Sequence, residues 1–189
     1  MNIFISGGAK NGKSMFAQHK AKEQAGGGKK LYYVATMDPV DDEDRKRISR
    51  HIDDRAGWGF ETVEQARNIC EIFERGEGSC NDHKQAVDKS GSFLLDSVTA
   101  LLSNEMFLKD GSINQDAYLK VAEDLVSFAK ATGNTVFVSD YIYSDARRFD
   151  EFTENYRKGL AYIDRRLAEV CDAVVEVAYG NIIVHKGNI

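Results

Sequence analysis

An eight-residue segment near the start of the chain constrains the fold more than any other feature. Residues 7–14, GGAKNGKS, match the pattern GxxxxGK[ST] at every fixed position. A short apolar run at 2–6, NIFIS, precedes the segment, and a run with helical spacing at 14–25 follows it. A strand, a glycine-rich turn and a helix in this order form a phosphate-binding loop, or P-loop. The sequence therefore predicts an α/β fold that binds a nucleotide.

Each residue type in this loop has a chemical task. Glycines let backbone N–H groups approach a phosphate closely, and the following helix adds its positive N-terminal end. Lys13 brings a full charge to the β- and γ-phosphates, and Ser14 offers a hydroxyl to Mg²⁺. The alternative is a glycine-rich turn that binds nothing. The predicted phosphate-binding residues are Gly7, Gly8, Ala9, Lys10, Asn11, Gly12, Lys13 and Ser14.

Apolar runs alternate with helical periodicity over the rest of the chain. Further strands are predicted at 31–36, 92–96, 135–139 and 173–178, and helices at 41–54, 65–75, 98–108, 114–132 and 150–170. Tyr179-Gly180-Asn181 indicates a hairpin into a last strand at 182–185, and residues 76–91 read as a surface loop. Strands that alternate with helices form a mainly parallel sheet covered on both faces. We expect one P-loop domain over 1–189, RecA-like, with a C-terminal β-hairpin.

Charge and composition narrow the class of protein. A net charge of −5 and a pI near 5.4 argue against a nucleic-acid binder. No run reaches the roughly 18 apolar residues of a membrane span, and the N-terminus lacks the pattern of a signal peptide. The three cysteines show no CxxC spacing, and the four histidines show no zinc-binding pattern. We expect a cytoplasmic protein with reduced thiols.

A P-loop needs a carboxylate on a neighbouring strand to hold the water shell of Mg²⁺. Asp96 ends the apolar run FLLD and is the best candidate, so that Ser14 and Asp96 form the predicted metal site. The alternative role for Asp96 is that of a helix cap before Val98. Asp140, after the run VFVS, is the rival carboxylate.

The predicted helix at 41–54 carries a histidine between two arginines. Arg47, His51 and Arg55 are spaced by four and share one helix face. Flanking cations lower the pKa of an imidazole, and a neutral imidazole can attack phosphorus. On the spacing alone, an exposed helical histidine without a catalytic role is the favoured interpretation, because a run of charges is usually a solvated face.

Taken together, these segments resemble one family. They are IFISGGAKNGKS at 3–14, YVAT at 33–36, RISRHIDDR at 47–55, ETVE at 61–64, LLDSVTALLSN at 94–104 and a weaker match at 156–175. The chain resembles the bifunctional adenosylcobinamide kinase/adenosylcobinamide-phosphate guanylyltransferases of cobalamin biosynthesis, with most of its length covered.

The resemblance implies a function and further site residues. In that family the histidine in register with His51 carries GMP covalently, so His51 and Lys13 become the candidate catalytic residues. GTP or ATP with Mg²⁺ and a corrinoid become the expected ligands, and a homotrimer the expected assembly. Nucleotide contacts beyond the P-loop fall on Thr36, Ile52, Asp53, Asp54, Arg55, Glu64 and Asp96.

The chain departs from the family pattern mainly on the acceptor side. The family's NEVGxGxVP loop is replaced by SDYIYSDA at 139–146, and its NQ pair by Asp164-Arg165, with Ala161 in place of a preceding glycine. Asp96 replaces a usual glutamate, and Phe60 a usual tryptophan. Two alternatives therefore stay open, a P-loop kinase of small molecules without guanylyl transfer and a non-catalytic nucleotide-binding regulator.

Several aromatic and basic residues have two interpretations. Tyr141 and Tyr143, in the altered loop, either line a pocket for a large flat ligand or are ordinary packing and surface residues. Five arginines either bind phosphates or pair with local acids, and surface pairing is the favoured interpretation. These are Arg147, Arg148, Arg157, Arg165 and Arg166.

Overall fold

A computed structural model describes most of the chain. The described residues are 1–39, 41–43, 46, 48–49, 52, 55–74, 86–143 and 146–189. Half of the predicted charged helix at 41–54 and most of the predicted loop at 76–91 therefore lie outside the described residues.

The described strands form one sheet of seven strands in the order β3-β2-β4-β5-β1-β6-β7. Strands β1 to β6 pair in parallel, and β7 pairs antiparallel with β6. The strands are β1 Ile3–Gly7, β2 Leu31–Ala35, β3 Glu61–Glu64, β4 Ser92–Asp96, β5 Thr135–Val138, β6 Ala173–Ala178 and β7 Asn181–Lys186. The helices are α1 Lys13–Gln24, α2 Val98–Met106, α3 Ala117–Thr132 and α4 Glu151–Val170, with a 3₁₀ helix at Ile69–Phe73. This is the predicted mainly parallel α/β fold.

The alternating direction of apolar side chains along the central strands explains why helices cover both faces of the sheet. In β1, Ile3 and Ile5 belong to the core on one face, where Ala17 of α1 packs. Phe4 belongs to the core on the other face, with Leu101 of α2 and other residues of α2, α3 and α4. Side chains in a strand point to opposite faces in turn, so apolar residues at successive positions need cover on both sides.

The strand order gathers the predicted site at one edge of the sheet. Strand β5 lies between β1 and β4. Because parallel strands all end at the same edge, the segments that follow β1, β2, β4 and β5 meet there. These segments are the P-loop, Thr36, the turn after Asp96 and the loop that begins at Ser139.

The predicted helix at 65–75 is wrong. The structure has only the 3₁₀ helix Ile69–Phe73, and Asn68 before it has a left-handed φ of 49°. The side chain of Glu105 accepts a hydrogen bond from the Asn68 N–H, and Arg67 Nε donates to the carbonyl of Asn104. Contacts with α2 thus hold this segment in a non-helical path. The strand β3 just before it has only four residues and was not predicted.

The predicted C-terminal hairpin is confirmed. Tyr179 and Gly180 both have positive φ, 52° and 77°, as a two-residue type I′ turn requires. The last strand, β7, has exposed side chains throughout. Within the described residues, no helix combines the length and the apolar character that crossing a membrane requires.

Candidate nucleotide site

The P-loop connects β1 to α1 with the geometry that an anion site needs. Gly12 is the N-cap of α1 with φ 94°, a left-handed value that glycine adopts at little cost. The N-cap glycine has no side chain to cap this end, Asn11 Oδ1 accepts only from the Lys13 N–H at 3.3 Å, and no acidic residue lies in the first turn. The positive end of the α1 dipole therefore stays available to a phosphate.

The start of the loop lies so close to β6 that only glycine fits. A Cβ at Gly7 would lie 2.3 Å from the Val177 carbonyl oxygen and 2.6 Å from Asn11 Nδ2. Asn11 Nδ2 itself donates a hydrogen bond to this Val177 oxygen. The Asn11 side chain thus joins the loop to the neighbouring strand.

Lys13 is the buried cation of the site, with 6% of its side chain exposed. Its Nζ donates to the Gly8 carbonyl oxygen at 2.7 Å and to Asp140 Oδ1 at 2.9 Å. The first contact curls the lysine back over the loop. The second gives this cation a carboxylate partner from the end of β5, which the sequence analysis considered only as a rival metal ligand.

The segment after β5 is held against the P-loop by backbone contacts. The Tyr141 N–H donates to the carbonyl oxygen of Gly7 at 2.9 Å. The Asp140 N–H donates to Thr99 Oγ1, also at 2.9 Å. Asp140 is therefore fixed between the P-loop and the first turn of α2, where its carboxylate faces Lys13.

Asp96, the predicted metal ligand, lies two strands away from β1. The Tyr33 hydroxyl donates to Asp96 Oδ2 at 3.1 Å. The Arg55 guanidinium stacks on the Tyr33 ring, with Cζ 3.4 Å from the ring centroid. Burial and the Asp96 charge raise the pKa of the Tyr33 hydroxyl far above its usual value, so Tyr33 acts as a donor here.

Arg55 has an unsatisfied donor. The residue is 7% exposed, and its NH1 is buried with no hydrogen-bond partner among the described residues. A buried donor left unpaired costs free energy, so its presence beside Asp96 suits a site whose ligand supplies the acceptor. The sequence analysis predicted Arg55 as a nucleotide contact.

Two further predicted contacts lie at the ends of the strands beyond Asp96, Thr36 after the adjacent β2 and Glu64 on β3. Thr36 is buried, donates from its hydroxyl to the Ser97 carbonyl and accepts from the Ser97 N–H, both at 2.7 Å. Glu64 ends β3, and both Glu64 and Asp96 are in register with Ala35 of β2. Ile52 is 53% exposed. Three predicted residues, His51, Asp53 and Asp54, lie outside the described residues.

A buried carboxyl group behind the site was missed as a functional feature. Asp164 of α4 is 3% exposed, and its Oδ2 accepts from Ser139 Oγ and from the Tyr143 hydroxyl, each at 3.1 Å. Burial raises the pKa of this carboxyl to about 7, although the two hydrogen bonds oppose the shift. Asp164 thus holds both ends of the segment that carries Asp140. The signal in the sequence was that Asp164 stands where the resembling family has an asparagine.

The fold and this loop define a class. The chain has the α/β fold of P-loop proteins, built on a mainly parallel sheet. A solved ATPase domain is similar in fold, with a TM-score of 0.54, 13% identity and coverage of 98% of this chain and 76% of that one. A structure designated PH0250 from Pyrococcus horikoshii OT3 has a TM-score of 0.56 and 12% identity, with 100% and 87% covered.

The family is narrower than the class. Residues 3–184 match the family described as cobinamide kinase / cobinamide phosphate guanyltransferase, and the chain belongs to it. It is therefore a transferase of cobalamin biosynthesis, as the sequence resemblance implied. None of the curated proteins with which the sequence was compared matches it.

The donor set at the sheet edge fits Mg²⁺ in its chemistry. Mg²⁺ prefers hard oxygen ligands and takes one or two carboxylates together with substrate phosphates and water. The Ser14 hydroxyl and the carboxylates of Asp96 and Asp140 are such groups. No three histidine, cysteine, aspartate or glutamate side chains converge on a metal position in the part of the chain that the structure describes.

Proposed function

We propose that this protein phosphorylates cobinamide with a purine nucleoside triphosphate and then transfers GMP from GTP to the cobinamide phosphate. The observation that carries the proposal is the buried Lys13 ammonium at the open N-terminus of α1, in a chain of this family. That arrangement favours a bound triphosphate in both steps.

In the kinase step, the acceptor hydroxyl attacks the γ-phosphorus and the nucleoside diphosphate leaves. Negative charge spreads over the transferring oxygens, and the cation of Lys13 with the amide groups at the start of α1 stabilises it. Ser14 and Asp96 would hold Mg²⁺, which neutralises charge on the phosphates when it is bound.

In the guanylyl step, the neutral imidazole of His51 attacks the α-phosphorus of GTP and pyrophosphate leaves. A phosphate oxygen of cobinamide phosphate then attacks the histidyl-GMP, which releases the imidazole and joins GMP to the acceptor through a new diphosphate bond. A covalent intermediate divides one difficult transfer into two easier ones. The assignment of His51 rests on its register with the family's histidine.

The predicted nucleotide contacts fit this scheme by position. Thr36, Glu64 and Asp96 follow or end strands at the edge that carries the P-loop. Arg55 offers its unpaired NH1 there as a donor to a phosphate or a base. Ile52, Asp53 and Asp54 keep the role that the resemblance implies.

We propose that the protein forms a homotrimer. We also propose that it acts in the cytoplasm. The last strand supports self-association, because Ile182, Ile183 and Val184 are between 44% and 46% exposed on an edge strand. Exposed apolar edge strands are usually covered in native proteins. Light scattering on the purified protein measures the assembly.

Incubation with α-labelled GTP tests the guanylyl step. We expect an acid-labile, base-stable label on the wild-type protein and none on His51→Ala. The departure of residues 139–146 from the family loop favours one rival, a kinase without guanylyl transfer. Absence of label from both proteins, together with phosphorylation of cobinamide, identifies that rival.

A further inference from the structure

A groove of about 530 Å³ opens beside the loop that follows β5. Four basic side chains, one carboxylate and two aromatic rings line it, together with two alanines. Its volume is in the usual range for small-molecule sites. The strong excess of positive charge within it is the feature to explain.

One of the four cations is structural. Arg157 is 7% exposed, and its guanidinium donates to the Ile142 and Arg147 carbonyl oxygens and to Glu154 Oε1, the last at 2.8 Å. Glu154 is the one carboxylate among the described residues that line the groove. Glu154 is therefore the ion-pair partner of Arg157.

Two other cations have no carboxylate partner among the described residues. Arg148 and Lys158 are exposed, and neither forms an ion pair with a described residue. Asp150, close by in sequence, caps α4, because its carboxylate accepts hydrogen bonds from the N–H groups of Phe152 and Thr153. Two cations that share a groove and form no ion pair with a described residue attract an anion.

An aromatic ring keeps a third cation at the groove. The Phe149 ring contacts the guanidinium of Arg147 at 5.4 Å and that of Arg157 at 4.9 Å, measured from Cζ to the ring centroid. Cation–π contacts of this kind orient a guanidinium at the groove.

The groove lies on the same loop as the counterion of Lys13. Asp140 contacts Lys13, Tyr141 bonds to Gly7, and Tyr143 then forms one wall of the groove. The groove and the P-loop are thus connected by one short segment, which contacts the P-loop at Asp140 and Tyr141 and lines the groove at Tyr143. The same segment replaces the family's own loop, so the groove belongs to this chain's version of the acceptor side.

We propose that this groove binds the phosphate monoester of the acceptor, with Arg148 and Lys158 as its charge partners. Two cations match the two negative charges of a phosphate monoester, and charge-assisted hydrogen bonds to such a group are strong. The groove has a volume of about 530 Å³ and the protein is acidic overall, which disfavours a long polyanion. The inference rests on the proposed function, since that function makes cobinamide phosphate the second acceptor.

Direct binding tests the groove independently of catalysis. Equilibrium dialysis measures the Kd of cobinamide phosphate and of cobinamide for the wild-type protein and for the double variant Arg148→Gln/Lys158→Gln. The control is Lys29→Gln/Lys130→Gln, which removes two exposed cations elsewhere and changes net charge equally. We expect the groove variant to weaken cobinamide phosphate binding about tenfold or more, with cobinamide and GTP changed less than about twofold. The control variant should match the wild type.

Other outcomes overturn the inference. An equal loss of affinity for cobinamide and for cobinamide phosphate would show that the groove does not bind the phosphate group. A loss confined to GTP would make it a nucleotide site, and no loss would leave the two cations without this role. The α-labelled GTP experiment runs in parallel without acceptor, so its failure rejects the guanylyl step while the binding result still decides the groove.

Discussion

The ammonium of Lys13 and the carboxylate of Asp140 form an ion pair of 2.9 Å across the ends of two neighbouring strands. In the proposed function this lysine binds the triphosphate, and in the structure Asp140 balances its charge. A bound nucleotide would place phosphate oxygens where they compete with this carboxylate. The pair therefore links stability of the free protein to occupancy of the site.

Replacement of Asp140 should make the protein depend more on its nucleotide. In Asp140→Asn the buried cation of Lys13 loses its counterion, so we expect stability to fall by about 1–3 kcal/mol. A triphosphate supplies replacement charge, so its addition should raise the Tm of this variant more than that of the wild type. Thermal unfolding with and without GTP and Mg²⁺ measures both effects. The exposed Asp116→Asn serves as the control, and equal nucleotide-induced shifts in all three proteins would contradict the prediction.

Mg²⁺ dependence should separate the two candidate carboxylates. If Asp96 holds the metal's water shell, Asp96→Asn should raise the Mg²⁺ concentration for half-maximal phosphoryl transfer about tenfold or more. Asp140→Asn should change it less than about twofold, because that carboxylate is committed to Lys13. The measurement is initial rate against free Mg²⁺ at saturating nucleotide. The reverse pattern would transfer the metal role to Asp140.

Two adjacent glycines should respond differently to the same change. A methyl group at Gly7 would meet the Val177 carbonyl oxygen, whereas a Cβ at Gly8 has no atom within 4 Å. We expect Gly7→Ala to lower the free energy of unfolding by about 1–3 kcal/mol and Gly8→Ala to change it by less than about 0.5 kcal/mol. Urea unfolding of the two variants gives the comparison. Similar losses in both would show that close approach to β6 is not what restricts Gly7.

The buried carboxyl of Asp164 should make stability fall as the pH rises. Its pKa of about 7 in the folded protein lies above the ordinary value of 3.8, so between those pH values the folded state binds one more proton than the unfolded state. Stability contributed by this group is therefore complete below about pH 4 and is lost as the pH rises through about 7. Asp164→Asn should lack this component, and urea unfolding across that range measures it. A variant with the same pH slope as the wild type would assign the slope to other groups.

Much of the site follows from local sequence. The P-loop is a contiguous segment whose glycines, lysine and serine have fixed tasks, so its position between a strand and a helix was predicted and is confirmed. The positions of Thr36 and Asp96 at the carboxyl ends of β2 and β4 were also predicted, because a parallel sheet brings strand ends to one edge. The hairpin at Tyr179-Gly180 likewise follows from turn chemistry. The role of His51 stays a prediction.

The chain sequence by itself therefore determined the fold class, the phosphate loop and the family, since each depends on short-range patterns. Only the tertiary structure decided which side chains meet. Lys13 and Asp140 are separated by 127 positions and meet because β5 lies beside β1. The segment 65–75 does not form the predicted helix, because it makes hydrogen bonds to α2 instead. The pKa of Asp164 rises because packing removes its carboxyl from water, and burial of that kind is a property of the assembled fold rather than of any local pattern.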